Sequence, residues 1–410
     1  MKKNIYIVLF GLLLSMGIAS CDNNSDLLFD ETAAQRKAGA NKAYDTALKS
    51  SEQGWLFQYF PEENQKYGGY NYVVKFAANG EVTVWYEGMA DLTKPETSMY
   101  DVISYGGPVL TFNTYNSLMH KFANPSASEY LGKGGDYEFL IISNENDVIT
   151  LKGIKTSNVL RMTKMKEAAE VYLVKINTIS NLFKGSSLEA TINKSKVALS
   201  LNDHRMVFSY TENKEAKSEK AAFIPTPTGI SFYEPLTILG VTVQELSFNV
   251  ETNQLVSANN EIIIDIIKAP VDLTSARWTC DTDVAADRSV AVRTAWIEAY
   301  VANGKTYGEI LETTFSLGIG AKGIGFYTKS NKYATDYHLN FGGVLGHPDY
   351  LNLTKKEGGF NWKWYTHLMP LLNIVTDNTP YSVEMDNADN PTQVKMTSVA
   401  NPDVWFILRK

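Results

Sequence analysis

Short runs of aromatic and β-branched residues dominate the chain, and three stretches with helical spacing interrupt them. The first helical stretch covers residues 31–51. Ala33, Ala40, Ala43, Tyr44, Ala47 and Leu48 recur there among Gln, Arg and Lys, Thr32 is placed to cap it, and Gly54 lies just past its end. From Trp55 the period changes to that of strands, with runs at 55–60, 70–76 and 82–86. Asn79-Gly80 between the last two predicts a hairpin with a type I′ turn. Further strand-like segments follow at 99–104, 109–112, 137–142, 148–152 and 159–163. Pro108, Pro125 and Gly132-Lys133-Gly134-Gly135 punctuate them. About seven short strands behind one helix predict an antiparallel barrel or a strongly curved sheet.

Residues 164–183 return to helical spacing through Ala168, Ala169, Tyr172, Leu173, Ile176, Ile179 and Leu182, opening a second unit. Strands are expected there at 197–201, 206–210, 229–233 and 245–250, with turn chemistry at 225–229; the run 262–267 reads as a strand or a linker. A third stretch begins near Val271. Its helix, 287–302, is expected to stop at Asn303-Gly304, and β-like segments follow to the C-terminus, including 337–341, 394–396 and 404–408. One weak internal echo aligns Ile149, Leu151, Ile154, Val159, Leu160 and Met162 with Val394, Met396, Val399, Val404, Trp405 and Ile407, turn residues falling between in both. Each unit ending thus reads as a closing hairpin. The expected class is mainly β with flanking helices (α+β), in antiparallel barrel-like or curved-sheet modules, each preceded by a helix. The units are 31–165, 166–270 and 271–410, the last two separate or joined as one domain.

The N-terminal pattern sets the compartment. Lys2 and Lys3 precede an apolar run from Ile5 to Ile18, too short for the roughly 20 residues of a permanent membrane helix. Residues 1–20 therefore read as a secretory signal peptide. Ile18-Ala19-Ser20-Cys21 looks like the lipobox of bacterial lipoproteins, which makes Cys21 the lipidated residue and 21–30 a polar tether. An ordinary signal peptide with a chance cysteine is the competing reading. Of 410 residues 390 then remain, enough for two or three domains, and losing Lys2 and Lys3 takes the formal charge from −7 to −9. An acidic body with no basic stripe has no reason to seek nucleic acid. Once Cys21 is acylated, Cys280 has no disulfide partner and reads as a small buried hydrophobe.

Several segments carry a family pattern. They are Leu28-Phe29-Asp30, Gly54-Trp55, Gly68-Gly69-Tyr70-Asn71-Tyr72, Val74-Lys75-Phe76, Glu96-Thr97-Ser98, Gly107-Pro108-Val109-Leu110-Thr111-Phe112 and Gly134-Gly135-Asp136-Tyr137-Glu138-Phe139, followed by Phe223-Ile224-Pro225-Thr226-Pro227-Thr228-Gly229-Ile230. With the lipobox, the chain resembles the Bacteroidota lipoproteins known as domain of unknown function 4302. The resemblance implies a β-rich lipoprotein of the cell envelope, often encoded near nutrient-uptake genes, and carries over no catalytic residues. It also implies that acidic residues after the acylated cysteine direct display on the outer surface, a signal Asp22 and Asp26 match in part.

Candidate chemistry is sparse. Gly318-Ile319-Gly320-Ala321-Lys322-Gly323 satisfies G-x-G-x-x-G, but Ile324-Gly325-Phe326-Tyr327 continues as a strand where a dinucleotide site needs a helix. It reads as a glycine-rich turn. His120, His204, His338, His347 and His367 form no close ligand pair for zinc. Asp281, Asp283 and Asp287 begin like a calcium loop, yet Ala286 and Val292 stand where an EF-hand needs glycine and glutamate. No nucleophile elbow is present, and no cofactor is expected. The sharpest candidate is Phe360-Asn361-Trp362-Lys363-Trp364, where a strand would put Phe360, Trp362 and Trp364 on one face to stack on sugar rings. Packing of that row into the core is the favoured alternative, and the same weighing applies to Tyr67, Tyr70 and Tyr72. The expectation is a lipid-anchored outer-membrane protein, on the cell-surface or periplasmic face, that binds a ligand or glycan as an accessory to an uptake complex. A surface hydrolase, marked by carboxylates converging in a cleft, and a structural assembly subunit, marked by a broad apolar patch, are the competing classes.

Overall fold

The structure, a computed structural model, describes residues 31–126, 129–130, 132–318, 322–329 and 332–410. The signal peptide, Cys21 and the tether lie outside the described residues. The chain is mostly β, and its described strands form three antiparallel sheets, a first in which the first strand pairs with the last and two that are closed barrels. No helix among the described residues is long and apolar enough to cross a membrane.

Helix α1 (Ala33–Leu48) starts where Thr32 and Gln35 form a capping box, the Thr32 hydroxyl accepting from the Gln35 amide at 3.2 Å and the Gln35 side chain accepting from the Thr32 amide at 2.9 Å. The first sheet has nine strands: β1 (Trp55–Tyr59), β2 (Tyr70–Phe76), β3 (Glu81–Tyr86), β4 (Glu96–Met99), β5 (Asp101–Ser104), β6 (Pro108–Thr111), β7 (Glu138–Glu145), β8 (Val148–Gly153) and β9 (Val159–Lys164). β1 pairs with β9, and the sheet's two ends, β4 and β5, are joined by Tyr100 alone. The expected strand 99–104 is therefore two strands bent at Tyr100, whose hydroxyl donates to Asp45 of α1 at 2.7 Å. Alternation sends Phe57, Tyr59, Tyr72 and Phe139 into one core, with Phe57 and Phe139 edge to face at 5.1 Å.

The hairpin at Asn79-Gly80 forms, but not with a type I′ turn. Ala77 hydrogen-bonds Glu81 at 2.8 Å, which leaves a three-residue connection in which only Gly80 has positive φ (84°). This is a type I turn followed by a left-handed residue, whose bulge absorbs the extra position. Gly80→Val should cost about 1–3 kcal/mol through strain at that φ. A denaturant midpoint unchanged from the parent would refute it.

Helix α2 (Ala169–Leu182) packs two ways. Ala169, Leu173 and Ile176 meet Val73 of the first sheet, while Ile179 enters the core of the second. That second sheet is a closed barrel of β10 (Ser186–Ile192), β11 (Ser195–Asn202), β12 (Arg205–Glu212), β13 (Glu215–Thr226), β14 (Gly229–Ile238), β15 (Val241–Asn249), β16 (Gln254–Val256) and β17 (Ile262–Lys268). The run 262–267 is thus a strand, the one that closes the barrel on β10.

The third sheet is another closed barrel: β18 (Arg277–Asp281), β19 (Leu311–Gly318), β20 (Gly323–Thr328), β21 (Ala334–Val344), β22 (His347–Gly358), β23 (Tyr381–Met385), β24 (Gln393–Ser398) and β25 (Trp405–Arg409). Here a strand comes first, and helix α3 (Val290–Tyr307) lies between β18 and β19. Asn303-Gly304 does not stop that helix. Buried Asn303 donates its amide to the Glu309 carbonyl at 3.0 Å, and the helix ends at Gly308 with φ 67°. A short helix, α4 (Met369–Thr376), stands in a region expected to be β-like, with Leu371, Leu372 and Val375 buried. The echoed segments are β8–β9 and β24–β25, each closing its sheet, though the second loop is one residue longer, which shifts its register.

Candidate functional site

The three sheets meet around a cavity of about 880 Å³. Its construction begins with a close approach. Gly68 has φ 72°, and a Cβ there would stand 2.0 Å from the His204 carbonyl oxygen, so only glycine lets the β11–β12 turn enter the first sheet. That turn carries Asp203 and His204. The His204 amide donates to the Tyr67 carbonyl at 3.3 Å, and its Nδ1 lies 2.6 Å from the Gly69 carbonyl. A carbonyl only accepts, so Nδ1 carries the proton in this contact. The Gly69 amide donates to the Phe223 carbonyl at 2.9 Å, and Asn71 donates its side-chain amide to the Pro225 carbonyl at 3.0 Å. Two of the segments that carry the family pattern, 68–72 and 223–230, are thus stitched together across the first two sheets.

Glu87 stands behind this seam and is 5% exposed. Its Oε2 accepts from the Asn71 amide at 2.9 Å and the Asn71 side chain at 2.8 Å, and its Oε1 lies 3.7 Å from His204 Nδ1. Burial pushes the Glu87 carboxyl above the ordinary range, opposed by His204, the Asn71 hydrogen bonds and Lys184. A carboxyl raised in the folded state holds its proton more tightly there than in the unfolded chain. Stability it contributes is therefore present at low pH and lost as pH rises from about 4.3 through the raised value. Glu87→Gln keeps an oxygen for Asn71 and removes the charge. The variant's stability relative to the parent should rise with pH across this window. A difference that stays flat between pH 4 and 7 in denaturant titrations would disprove it.

Asp203 bridges all three units, 3.8 Å from Lys133 of the first and 3.7 Å from Lys356 of the third. All three side chains are partly exposed, so each pair is worth at most about 1 kcal/mol. Tyr70 and Tyr86 flank the cavity, with the Tyr70 ring 4.8 Å from that of His204. Burial, then Asp203 for Tyr70 and Glu87 for Tyr86, pushes both phenols up, keeping them neutral donors. On the far wall, glycines allow contact between barrels. A Cβ on Gly342 would meet the Ser187 amide nitrogen at 2.4 Å, and the Ser187 hydroxyl donates to the Gly343 carbonyl. The Ser180 hydroxyl oxygen, on a residue lining the cavity, is buried without a hydrogen-bond partner among the described residues.

The aromatic row lies elsewhere, and the strand expected for it does not form. Residues Trp362–Trp364 make a 3₁₀ turn after Asn361, which has φ 57°. The turn splits the row: Trp362 is 6% exposed and packs against Tyr337 at 4.9 Å, while Phe360 and Trp364 are 47% and 59% exposed. Tyr67, Tyr70 and Tyr72 are buried. Gly318 and Gly323 pair across a β19–β20 hairpin. Asp287 is buried and paired with Arg409, and Asp283 pairs with Arg293 at 2.6 Å, so neither carboxylate stands ready for calcium. Among the described residues no group of three or more His, Cys, Asp or Glu is placed to hold a metal ion. Cys280 is fully buried, and burial, then Asp287 and Asp281, pushes its thiol up to about 12.

The residues that sequence reasoning missed are Glu87, Asp203, His204 and Lys356. No spacing links them; the visible trace was Gly68-Gly69, whose need for glycine is set by His204.

A family model described as "Domain of unknown function (DUF4302)" matches residues 25–250. No curated protein matches the chain. Among solved structures, the DNA polymerase III beta chain from Streptococcus pneumoniae TIGR4 is 11% identical, with 90% of this chain and 97% of that chain covered at a TM-score of 0.13. The DNA polymerase III subunit beta from Pseudomonas aeruginosa is 9% identical, with 92% and 95% covered at a TM-score of 0.13. Likenesses this low carry no argument about fold or function.

Proposed function

The chain belongs to the family described as Domain of unknown function (DUF4302), and from that premise we propose that it is a lipid-anchored cell-envelope protein that binds a glycan where its three sheets meet. The cavity at that junction carries the reading. Its volume lies within the usual range for small-ligand sites, about 300–1,000 Å³. Its lining is unusually polar for such a site, with Asn181, Asn340, Asn352, Ser200 and Thr354 sharing the wall with Tyr70 and Tyr86. Amides and hydroxyls both donate and accept, as sugar hydroxyls do, and tyrosine faces suit the C–H side of a sugar ring. Binding would draw on all three units at once, so a ligand would also brace their arrangement.

The test is calorimetry on the full-length protein in detergent against a panel of soluble polysaccharides, with Asn340→Ala as the cavity variant. Binding by the parent and a tenfold or greater loss in the variant is the expected result. An unchanged affinity in Asn340→Ala would move the site out of the cavity. One observation favours a surface hydrolase, namely the raised carboxyl of Glu87, a property of general acids. Glycan cleavage by the parent, lost in Glu87→Gln with binding retained, would replace the binding reading.

Anchoring is supported by Lys2-Lys3, the short apolar run and Ile18-Ala19-Ser20-Cys21. The Cys21 thiol is the acyl acceptor this pattern offers. Cys21→Ala should abolish metabolic labelling with a palmitate analogue and release the protein from the outer-membrane fraction. Label persisting on the variant would end the lipoprotein reading.

A further inference from the structure

One group in the junction cavity is left incomplete by its own neighbours. Glu87, just past β3, is 5% exposed and lines the cavity. Its two carboxylate oxygens are not equivalent. Oε2 is held by the Asn71 amide at 2.9 Å and the Asn71 side chain at 2.8 Å. Oε1 accepts no hydrogen bond among the described residues. His204 Nδ1 stands 3.7 Å from it, but the proton on that nitrogen goes to the Gly69 carbonyl at 2.6 Å. Unlike the Ser180 hydroxyl oxygen, Glu87 Oε1 is not sealed from solvent, and the cavity is where Glu87 meets it.

The carboxylate also lacks a cation. Lys356, in the same lining, stands 3.7 Å from Asp203, and Glu189 stands 4.0 Å from Lys196. Lys184 is near enough to lower the Glu87 carboxyl, yet it is exposed and forms no ion pair among the described residues. The other titratable groups that face Glu87 are phenols, Tyr70, Tyr72 and Tyr86 of the first sheet and Tyr172 of α2, each pushed up by burial first and so kept neutral. A nearly buried anion with an open oxygen and no paired cation is costly. A ligand donor that carries positive charge offsets that cost better than a neutral hydroxyl, because charge-assisted hydrogen bonds are about twice as strong. We propose that the junction cavity selects an amino sugar, its ammonium donating to Glu87 Oε1 while the asparagines and hydroxyls of the lining take the ring hydroxyls. The proposal rests on the reading that this cavity binds glycans and names the class of sugar. Binding needs the carboxyl ionised and the amine protonated. Affinity should therefore fall towards low pH as Glu87 gains its proton, and towards high pH as the amine loses its own.

The test uses the full-length protein in detergent with three tetrasaccharides of one β-1,4-linked backbone: cellotetraose, the glucosamine tetramer and its fully N-acetylated form. Calorimetry across pH is read for the parent, Glu87→Gln and Asn340→Ala. The expected result is that the parent prefers the glucosamine tetramer at least tenfold over the other two, with a bell-shaped pH profile for that ligand alone. In Glu87→Gln that preference should fall towards one, and in Asn340→Ala all three affinities should weaken. Equal binding of the charged and neutral tetramers by the parent would overturn the amino-sugar proposal and leave the junction reading standing. A preference that survives Glu87→Gln would overturn Glu87 as the partner of the amine. No tetrasaccharide bound by the parent would overturn both.

Discussion

Trp362→Ala should destabilise the protein by about 3–5 kcal/mol, the usual cost of truncating a buried Trp. The indole is almost fully enclosed and stands edge to face against Tyr337 at 4.9 Å, with Phe326 at 6.4 Å behind it. Gly358 sits beneath it, since a Cβ there would meet Trp362 Cδ1 at 2.6 Å. The space left by the side chain cannot collapse cheaply, because the Gly358 backbone forms one of its walls and has no side chain to move in. Against a domain stability of about 5–15 kcal/mol the loss is large, and thermal melts should fall by on the order of ten degrees. Two residues away the outcome inverts. Trp364→Ala removes a ring more than half exposed, and its melt should stay close to the parent's. Equal destabilisation of the two variants would show that the 3₁₀ turn does not separate them.

That contrast shows what periodicity can and cannot deliver. A row of aromatics at every second position predicts a shared face only if the backbone is a strand. Asn361 in the left-handed region breaks the extended path, and nothing local in Phe360-Asn361-Trp362 announces it. Where the determinants were local, the reading was sound. Helix α1 begins at Thr32 because Thr32 and Gln35 complete a capping box within four residues. The run 70–76 pairs with 82–86 across a connection that must contain Gly80. Strand β13 escaped because its first half, Glu215-Ala216-Lys217-Ser218-Glu219-Lys220, is exposed and highly charged. It is extended because β12 pairs with it residue by residue, a tertiary influence that overrides composition. Helix α4 hid inside an apolar run too short to show a helical period.

The candidate site was the least legible part, for the same reason. Glu87, His204 and Lys356 come from three units, and each alone is an unremarkable polar residue in a turn or strand. Their chemistry exists only after Gly68 admits the β11–β12 turn and the Gly342-Gly343 pair admits the second barrel. A sequence records such glycines but not what approaches them.

Gly343→Val tests the consequence. A Cβ at this position would lie 2.1 Å from the Lys268 carbonyl oxygen and 2.7 Å from its carbon, backbone atoms at the end of β17 that no rotamer change can move aside. The β21 strand must therefore withdraw from β10 and β17, and the Ser187 hydroxyl loses its acceptor. Overpacking of this kind costs about 1–3 kcal/mol, and contact with backbone places it at the upper end. The strain falls between barrels, so each should keep its own strands while the seam opens. Gly342 and Phe341 line the junction cavity, and the same displacement widens it. The expected result is a parent-like far-ultraviolet spectrum, a larger radius in X-ray scattering, and faster proteolysis between β17 and β18. Any ligand held by all three units should be lost with it. A variant with the parent's radius and protease resistance would mean that the two barrels do not depend on this contact, and the junction would then be a crevice between loosely tethered units.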